Sequence, residues 1–285
     1  MAGFTTMARR NIRLYFSDKA SVFFSLLGAL IAIFLVLFFL KSSLVSSITA
    51  GYGGLVTDEQ SERLLDSWLV ASASVIASGT TGLGALRQFV DDRESSRWRD
   101  FLVAPVPRWW ITGAYLLAAI IVSMVMTTVV YLVGTLYCMS NGVPEGWTDL
   151  LAGWGWLMLS CAGFTCLMGF AVSLLRTGGA FTGLSIIVGV MFGFLSETYA
   201  TPDALPESAA RVLGWLPFAQ ASALVREPYT SQVIAGLPQE VRDATMASMG
   251  ITLDATTPVI VAVLVAMTVL CSVLAWQIMA RTVKH

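Results

Sequence analysis

Charged residues are absent from six long apolar stretches of this chain. The stretches cover residues 22–40, 67–86, 111–138, 150–175, 180–196 and 258–280, and none contains Asp, Glu, Lys, Arg or His. A helix needs about 20 apolar residues to cross roughly 30 Å of hydrocarbon. Inside a bilayer the backbone polar groups must pair with one another, which a helix achieves within one segment. The pattern predicts an all-α membrane protein, with six transmembrane helices in a single domain over residues 1–285.

The same stretches limit how the chain can perform work. An ionisable side chain at the bilayer centre costs about 2.5–3.5 kcal/mol on insertion scales, so one retained there usually marks an ion or proton pathway. The predicted spans hold none. We therefore expect the energy for any transport to come from outside the spans. With 56% hydrophobic and 12% charged residues, the chain falls outside the water-soluble class.

The basic residues predict the orientation. If the N-terminus is cytoplasmic, twelve of the 17 Lys and Arg residues also face the cytoplasm: Arg9, Arg10, Arg13, Lys19, Arg87, Arg93, Arg97, Arg99, Arg108, Arg176, Arg281 and Lys284. Cytoplasmic loops of membrane proteins carry an excess of Lys and Arg, so the inverted orientation is disfavoured. We expect both termini to be cytoplasmic.

Residues 1–21 precede the first predicted span and show helical periodicity. Apolar residues recur on one face and basic residues occupy the adjoining arc: Phe4, Ala8, Ile12 and Tyr15 against Arg9, Arg10 and Arg13. This pattern predicts an amphipathic helix on the inner leaflet. The sequence leaves open whether this helix only anchors the chain at the interface or also contacts a cytoplasmic partner.

The segment between the second and third spans, residues 87–110, has an unusual composition. Charges of both signs crowd its first half, an apolar patch begins at Phe101, and Pro105 and Pro107 end any helix before the third span. Mixed charges at close spacing suit a short solvated helix. A loop of this composition is suited to docking into another protein.

Two stretches carry a resemblance to a known family. The first is Asp100-Phe101-Leu102-Val103-Ala104-Pro105-Val106-Pro107-Arg108, preceded by Asp92, Arg93 and Glu94, and the second runs from Leu205-Pro206 through Leu216-Pro217 to Val225-Arg226. Both stretches occur in this order between six predicted spans. In this respect the whole chain resembles the ATP-binding-cassette (ABC) type-2 exporter permeases, especially the bacterial multidrug-type members. The resemblance implies that permease fold and a location in the bacterial plasma (inner) membrane.

In that family the permease dimerises, as a homodimer or with a sister permease, and each copy rests on a cytoplasmic ABC ATPase subunit. The resemblance makes residues 91–108 a coupling helix, with ATPase contacts at Asp92, Arg93, Glu94, Arg97, Asp100, Phe101 and Leu102. The alternative is an ordinary charged loop that only fixes topology. None of the lysines closes a G-x-x-x-x-G-K-[ST] phosphate loop. We therefore expect ATP and Mg to bind the partner ATPase and no cofactor to bind this chain.

Spans two and five offer polar faces for a cargo. Side chains recur there at helical spacing: Ser74, Ser78 and Thr81 in span two, and Thr182, Ser185 and Phe192 in span five. In the resembled family these two spans line the central route between protomers. The alternative is that such small residues only pack helix against helix. Glycines at close spacing point to that packing role: Gly79, Gly82, Gly84, Gly179, Gly183, Gly189 and Gly193.

The extracellular region predicted at residues 197–257 is long for a connector. Its apolar part, residues 209–224, is interrupted at Pro217, which predicts short helices that dip toward the bilayer behind shielding protein. By resemblance, Leu216, Pro217 and Phe218 form an outer gate. Residues 239–249 predict a polar amphipathic helix that caps the external surface.

Several chemistries lack their usual residues. The one histidine is His285, no G-x-S-x-G motif occurs, and the four cysteines show no C-x-x-C spacing. We therefore expect that this chain is not an enzyme and that it binds neither a metal ion nor nucleic acid.

A route lined by hydroxyls, glycine and phenylalanine suits amphipathic or apolar cargo. The sequence therefore predicts the transmembrane permease subunit of an ATP-driven ABC exporter, which moves a drug, lipid or hydrophobic peptide out of the cytoplasm. Two alternatives stay open. One is a non-transporting membrane anchoring or assembly protein, and the other is an ABC-type exporter of ions or of a charged cofactor.

Overall fold

Helices make up the regular secondary structure of this chain. The computed structural model describes residues 2–35, 39, 41–95, 108–144, 146–199, 205–252 and 256–282. No strand occurs in these residues, so the expected all-α fold is confirmed. In chain order the helices are α1 (Ala2–Ser17), α2 (Lys19–Leu35), α3 (Lys41–Gly51), α4 (Asp58–Glu94), α5 (Arg108–Ser140), α6 (Trp147–Ser173), α7 (Gly178–Leu195), α8 (Glu207–Gly214), α9 (Pro217–Ala235), α10 (Gln239–Ser248) and α11 (Thr257–Thr282).

Five of the described helices, α4, α5, α6, α7 and α11, are long and apolar enough to cross a bilayer. The chain is a multi-pass membrane protein. The span predicted at residues 67–86 lies within α4, which is 37 residues long. The first predicted span, 22–40, corresponds to α2, of which 17 residues are described, while residues 36–38 and 40 lie outside the described residues.

The central helix of the bundle is α4. At 1.5 Å per residue its length is about 55 Å, which exceeds the roughly 30 Å of the hydrocarbon core. Every residue from Leu64 to Leu83 is buried, on all faces of the helix. The burial arises because α2, α5, α6, α7 and α9 all pack against α4. Alanine, serine, threonine and glycine are frequent in this stretch and allow that close packing.

All three glycines of α4 are required by close contacts. A Cβ at Gly79 would overlap the ring of Phe192 on α7. A Cβ at Gly82 would overlap the hydroxyl of Thr165 on α6. A Cβ at Gly84 would lie 2.8 Å from Ser25 Cβ on α2. The predicted packing role of these three glycines is confirmed.

The bundle has two distinct ends. At one end, which we call the α1 end, α1 meets the last turn of α4, and the last turn of α4 meets the start of α7. At the other end, which we call the α8–α10 end, the ends of α9 and α10 lie beside the start of α4, and α8 packs against α9.

The predicted amphipathic N-terminal helix is present as α1, which packs along α5. Its apolar face turns toward the bundle, where Ala8 and Tyr15 are buried. Phe4 packs edge-on against Trp110, with 6.4 Å between the ring centroids. On the opposite arc Arg9 is exposed.

The region predicted as extracellular forms helices where expected. α8 ends at Gly214 and α9 begins at Pro217, so the proline interrupts the apolar part as predicted. α10 coincides with the predicted capping helix. Residues 200–204 and 253–255 of this region lie outside the described residues.

Half of the predicted coupling segment, residues 87–110, also lies outside the described residues, because residues 96–107 are not among them. All seven coupling roles stay predictions, and four of the residues lie outside the described ones: Arg97, Asp100, Phe101 and Leu102. The other three, Asp92, Arg93 and Glu94, belong to the last turn of α4.

Candidate functional site

A cavity of about 1490 Å³ runs along one side of α4. α2 and α3 form one wall, α7 forms the other, and α4 forms the floor. The cavity reaches from Asp18 and Arg87 at the α1 end to Tyr52 and Met249 at the α8–α10 end. Small-molecule pockets commonly measure about 300–1,000 Å³, so this cavity has room for an entire small molecule.

The surface of the cavity is mainly apolar. Phe24 of α2 is 66% exposed and Ile186 of α7 is 65% exposed, on opposite walls. Among the described lining residues, charge is carried by Asp18 and Arg87, both at the α1 end. Hydroxyl groups such as that of Thr80 supply other polar contacts. The cavity therefore offers apolar walls along its length and a charged mouth at one end.

Two of the predicted path residues line this cavity. Thr182 and Ser185 of α7 both face it. The Thr182 hydroxyl donates to Gly178 O at 3.1 Å, and the Ser185 hydroxyl donates to Phe181 O at 2.9 Å. Both hydroxyls are thus satisfied within α7, and their oxygens keep further lone pairs for a bound molecule.

The three hydroxyl residues predicted on span two occupy a different place. Ser74, Ser78 and Thr81 are fully buried and do not belong to the cavity lining. Each hydroxyl donates to a carbonyl oxygen of α4 itself. Ser123 of α5 donates to Ser78 O at 2.7 Å, so part of this face packs against α5. The neighbouring Thr80 is the hydroxyl residue of α4 that reaches the cavity.

The sixth predicted path residue, Phe192, joins an aromatic cluster with the predicted outer gate. Its ring packs edge-on against Phe218 at 5.0 Å and against Phe164 at 5.2 Å. Phe164 and Phe218 stack in parallel, with 5.2 Å between centroids. Leu216 and Pro217 form the entry to α9 beside this cluster. The sequence reasoning missed Phe164, whose ring links α6 to both other residues.

Asp92 sits in a closed polar cluster at the α1 end. Its side chain is fully buried and accepts two hydrogen bonds from Arg10, at 2.9 and 3.2 Å. Tyr115 of α5 donates to the same carboxylate at 2.6 Å, and Gln88 donates at 2.8 Å. One carboxylate therefore joins α4 to α1 and α5.

The next two residues extend these contacts toward α7. Arg93 donates to the carbonyl oxygens of Ser173 and Leu175, at 3.2 and 2.8 Å, where α6 ends. Glu94 accepts a hydrogen bond at 2.9 Å from the backbone N–H of Gly178, the first residue of α7. A carboxylate at a helix N-terminus also interacts favourably with the helix dipole.

A second polar cluster occupies the α8–α10 end. Arg226 of α9 is fully buried, and its guanidinium donates to Ser72 Oγ of α4 and to Ser196 O, both at 2.8 Å. It also donates to Gly250 O at 3.2 Å and lies 4.7 Å from the centroid of the Trp68 ring. One side chain thus joins α9 to α4 and to the connections that follow α7 and α10.

Glu197 partly balances the charge of Arg226. Its carboxylate lies 3.9 Å from the guanidinium and is 1% exposed. Its φ of 57° lies in the left-handed region, which is uncommon outside glycine. Burial raises the pKa of Glu197, while burial lowers the pKa of Arg226 to about 10. Each charge is therefore destabilised by burial and stabilised by the other.

The described residues contain no group of three or more His, Cys, Asp or Glu placed to hold a metal ion. Comparison with protein-family models and with curated proteins gives no match for this sequence.

Proposed function

We propose that this chain is the transmembrane permease subunit of an ATP-driven ABC exporter, powered by a separate ATPase chain. The proposed cargo is an amphipathic or apolar compound, such as a drug, a lipid or a hydrophobic peptide. The observation that carries the proposal is the cavity of about 1490 Å³, with apolar walls and a charged mouth at the α1 end. In this proposal the α1 end faces the cytoplasm of a bacterial cell.

The surface of the cavity supports this class of cargo. An apolar chain gains about 25 cal/mol for each Å² that it removes from water, and the walls offer such a surface. A polar group of the same molecule would stay near Asp18 and Arg87, beside water. A bare ion would lose its hydration shell along the apolar walls without compensation. This makes the cavity less suited to the rival proposal, export of ions or of a charged cofactor.

The contacts of Asp92, Arg93 and Glu94 support a coupling role that acts through this chain. Within the described residues all three side chains bond to other helices or to the connection between α6 and α7. A force on the segment after α4 would therefore reach α7, which is a wall of the cavity. We propose that these residues transmit motion from the ATPase contact to that wall.

Six spans remain part of the proposal, with the first predicted at residues 22–40, of which α2 covers the residues up to Leu35. At the start of α3, Lys41 Nζ lies 2.9 Å from Asp66 Oδ1. Asp18 and Arg87 both border the cavity at the α1 end. The described residues of α2 and the start of α3 therefore lie beside residues 66–87 of α4. Since that part of α4 is the apolar span, its neighbour is expected to cross the bilayer as well.

A permease dimer is supported by the open glycine face of α7. A Cβ at Gly179 or Gly183, neither of which lines the cavity, would meet no atom of the described chain within 4 Å. Small residues on a helix face are typical of helix interfaces in membranes. We propose that a second copy, or a sister permease, packs near α7.

Co-purification and stimulated ATP hydrolysis test the proposal. The chain is expressed with candidate ATPase subunits that carry a Walker loop, purified through a tag on the permease alone, and reconstituted in lipid. We expect an ATPase to co-purify and its hydrolysis rate to rise when a fluorescent amphiphile is added. If no ATPase binds, the result supports the alternative, a membrane anchoring or assembly protein.

A further inference from the structure

The end wall of the cavity is built from residues that contact Arg226. Trp68, Thr198 and Met249 all line the cavity at the α8–α10 end. Arg226 lies over the Trp68 ring and donates to Thr198 Oγ1 at 3.5 Å and to Met249 O at 3.4 Å. Trp68 Nε1 donates to the same Met249 oxygen at 2.8 Å. The guanidinium therefore lies directly behind the end wall.

We propose that Arg226 is a positioning residue that closes the cavity at the α8–α10 end. It does so by holding residues 196–199, which follow α7, and residues 249–250, which follow α10, against Trp68 of α4. The inference rests on the proposed function only in treating the cavity as a route for cargo. It differs from the predicted outer gate, which places closure at Leu216, Pro217 and Phe218.

The geometry requires the planar guanidinium of an arginine. Its five N–H donors point in fixed directions, and they reach acceptors in α4, in residues 196–198 and in residues 249–250 at the same time. A lysine has a single nitrogen and would reach only part of this set. If either connection moved away, a buried charge would lose several partners together, which is costly. The two connections are therefore held in place as a unit.

Glu197 marks the point where this closure is weakest. Its Oε2 is buried and has no hydrogen-bond partner among the described residues. Its positive φ adds a local backbone cost to the same connection. Movement of residues 196–199 away from Arg226 would expose Oε2 to water, at the cost of the ion pair with Arg226, and it would widen the end of the cavity beside Thr198.

The test measures access to the end wall in the purified chain, in lipid nanodiscs where both ends meet water. Met249 is changed to Cys, and the rate of its modification by a charged maleimide is measured. The four native cysteines are buried, and the chain without Cys at position 249 supplies the baseline. This rate is compared between the Met249→Cys chain and the same chain that also carries Arg226→Lys or Ser72→Ala. Arg242→Lys is the matched control, because Arg242 donates to Leu237 O and Ala235 O and does not border the cavity.

We expect Arg226→Lys to raise the rate of modification at position 249 about tenfold or more. The population in which the end wall is open grows tenfold for each 1.4 kcal/mol by which the closed state is destabilised. Ser72→Ala, which removes one acceptor, is expected to raise it less, and Arg242→Lys to leave it unchanged. Hydrogen exchange should quicken in residues 194–199 and 246–252 while the α1 end keeps its protection.

Equal rates in Arg226→Lys, Ser72→Ala and Arg242→Lys would overturn the proposal, as would exchange that quickens throughout the chain. If Arg226→Lys does not fold, Ser72→Ala alone decides between these outcomes. No ATPase partner is needed, so failure here is separate from failure of the proposed transport function.

Discussion

Replacing Asp92 by Asn tests whether the α1 end is held together by one buried carboxylate. The carboxylate is fully buried and accepts hydrogen bonds from Arg10, Gln88 and Tyr115. Asparagine keeps the shape of the side chain but removes the charge and one acceptor oxygen. Arg10 would then lose its charged partner, and Tyr115 or Gln88 would lose an acceptor.

The expected magnitude follows from these contacts. Hydrogen bonds to charged groups contribute about 1.5–3 kcal/mol, and breaking a buried ion pair costs about 3–5 kcal/mol. Arg10 is 31% exposed and can regain water, which lowers the cost. We therefore expect Asp92→Asn to reduce the free energy of unfolding by about 2–4 kcal/mol.

The assay is thermal unfolding of the purified chain, with Asp91→Asn as the matched control. Asp91 is 46% exposed and lies 3.6 Å from Arg87. Exposed ion pairs contribute at most about 1 kcal/mol, so Asp91→Asn should shift the midpoint little. In chains of about 150–250 residues each kcal/mol moves the midpoint by roughly 2–4 °C, which makes the difference measurable.

A double-mutant cycle then assigns the effect to the pair. Arg10→Met should destabilise the parent chain by more than it destabilises Asp92→Asn, because the partner charge is already absent there. The reasoning is refuted if Asp92→Asn and Asp91→Asn shift the midpoint equally, or if the Arg10 and Asp92 effects simply add.

Three further outcomes can be checked with the same unfolding assay or by labelling. Gly79→Ala should cost about 1–3 kcal/mol because its Cβ overlaps Phe192, whereas Gly183→Ala, which meets no described atom within 4 Å, should cost nothing. Phe164→Ala should cost about 3–5 kcal/mol, since its buried ring contacts two other phenylalanines. Maleimide should modify no native cysteine in nanodiscs and all four after denaturation, and rapid labelling of the folded chain would contradict their burial: Cys138, Cys161, Cys166 and Cys271.

The all-α fold and the positions of most spans could be predicted from the sequence. The hydrocarbon core sets both the length of a span and its lack of charge, so apolar runs reveal the spans directly. The apolar face of α1 was also predictable, since only one face of that helix contacts the bundle. The break at Pro217 follows from the missing N–H and fixed φ of proline.

The cavity could not be located from the hydroxyl pattern of α4. A helix buried on every side carries small polar residues on several faces, and periodicity does not show which face meets which neighbour. The hydroxyl pattern of Ser74, Ser78 and Thr81 therefore did not decide between lining a path and the packing alternative, and the structure shows them packed inside the bundle. Thr80 lies one position from Thr81, yet it lines the cavity.

The role of Arg226 was also hidden. Its acceptors come from α4 and from the connections after α7 and α10, which are far apart in sequence. A lone arginine in a loop region looks like a surface residue until those segments are brought together. One signal of a buried Arg226 was available in the sequence, since the stretch around it after Pro217 is mostly apolar.

The most direct test of the account is ATP-dependent flux of a fluorescent amphiphile in proteoliposomes that contain the chain and its co-purified ATPase. Gly189 lines the cavity, whereas Gly155 of α6 lies in open space outside it. We expect Gly189→Trp to reduce flux strongly by obstructing the cavity and Gly155→Trp to leave flux intact. Equal flux in both variants, or flux driven by a proton or sodium gradient without the ATPase, would contradict the account.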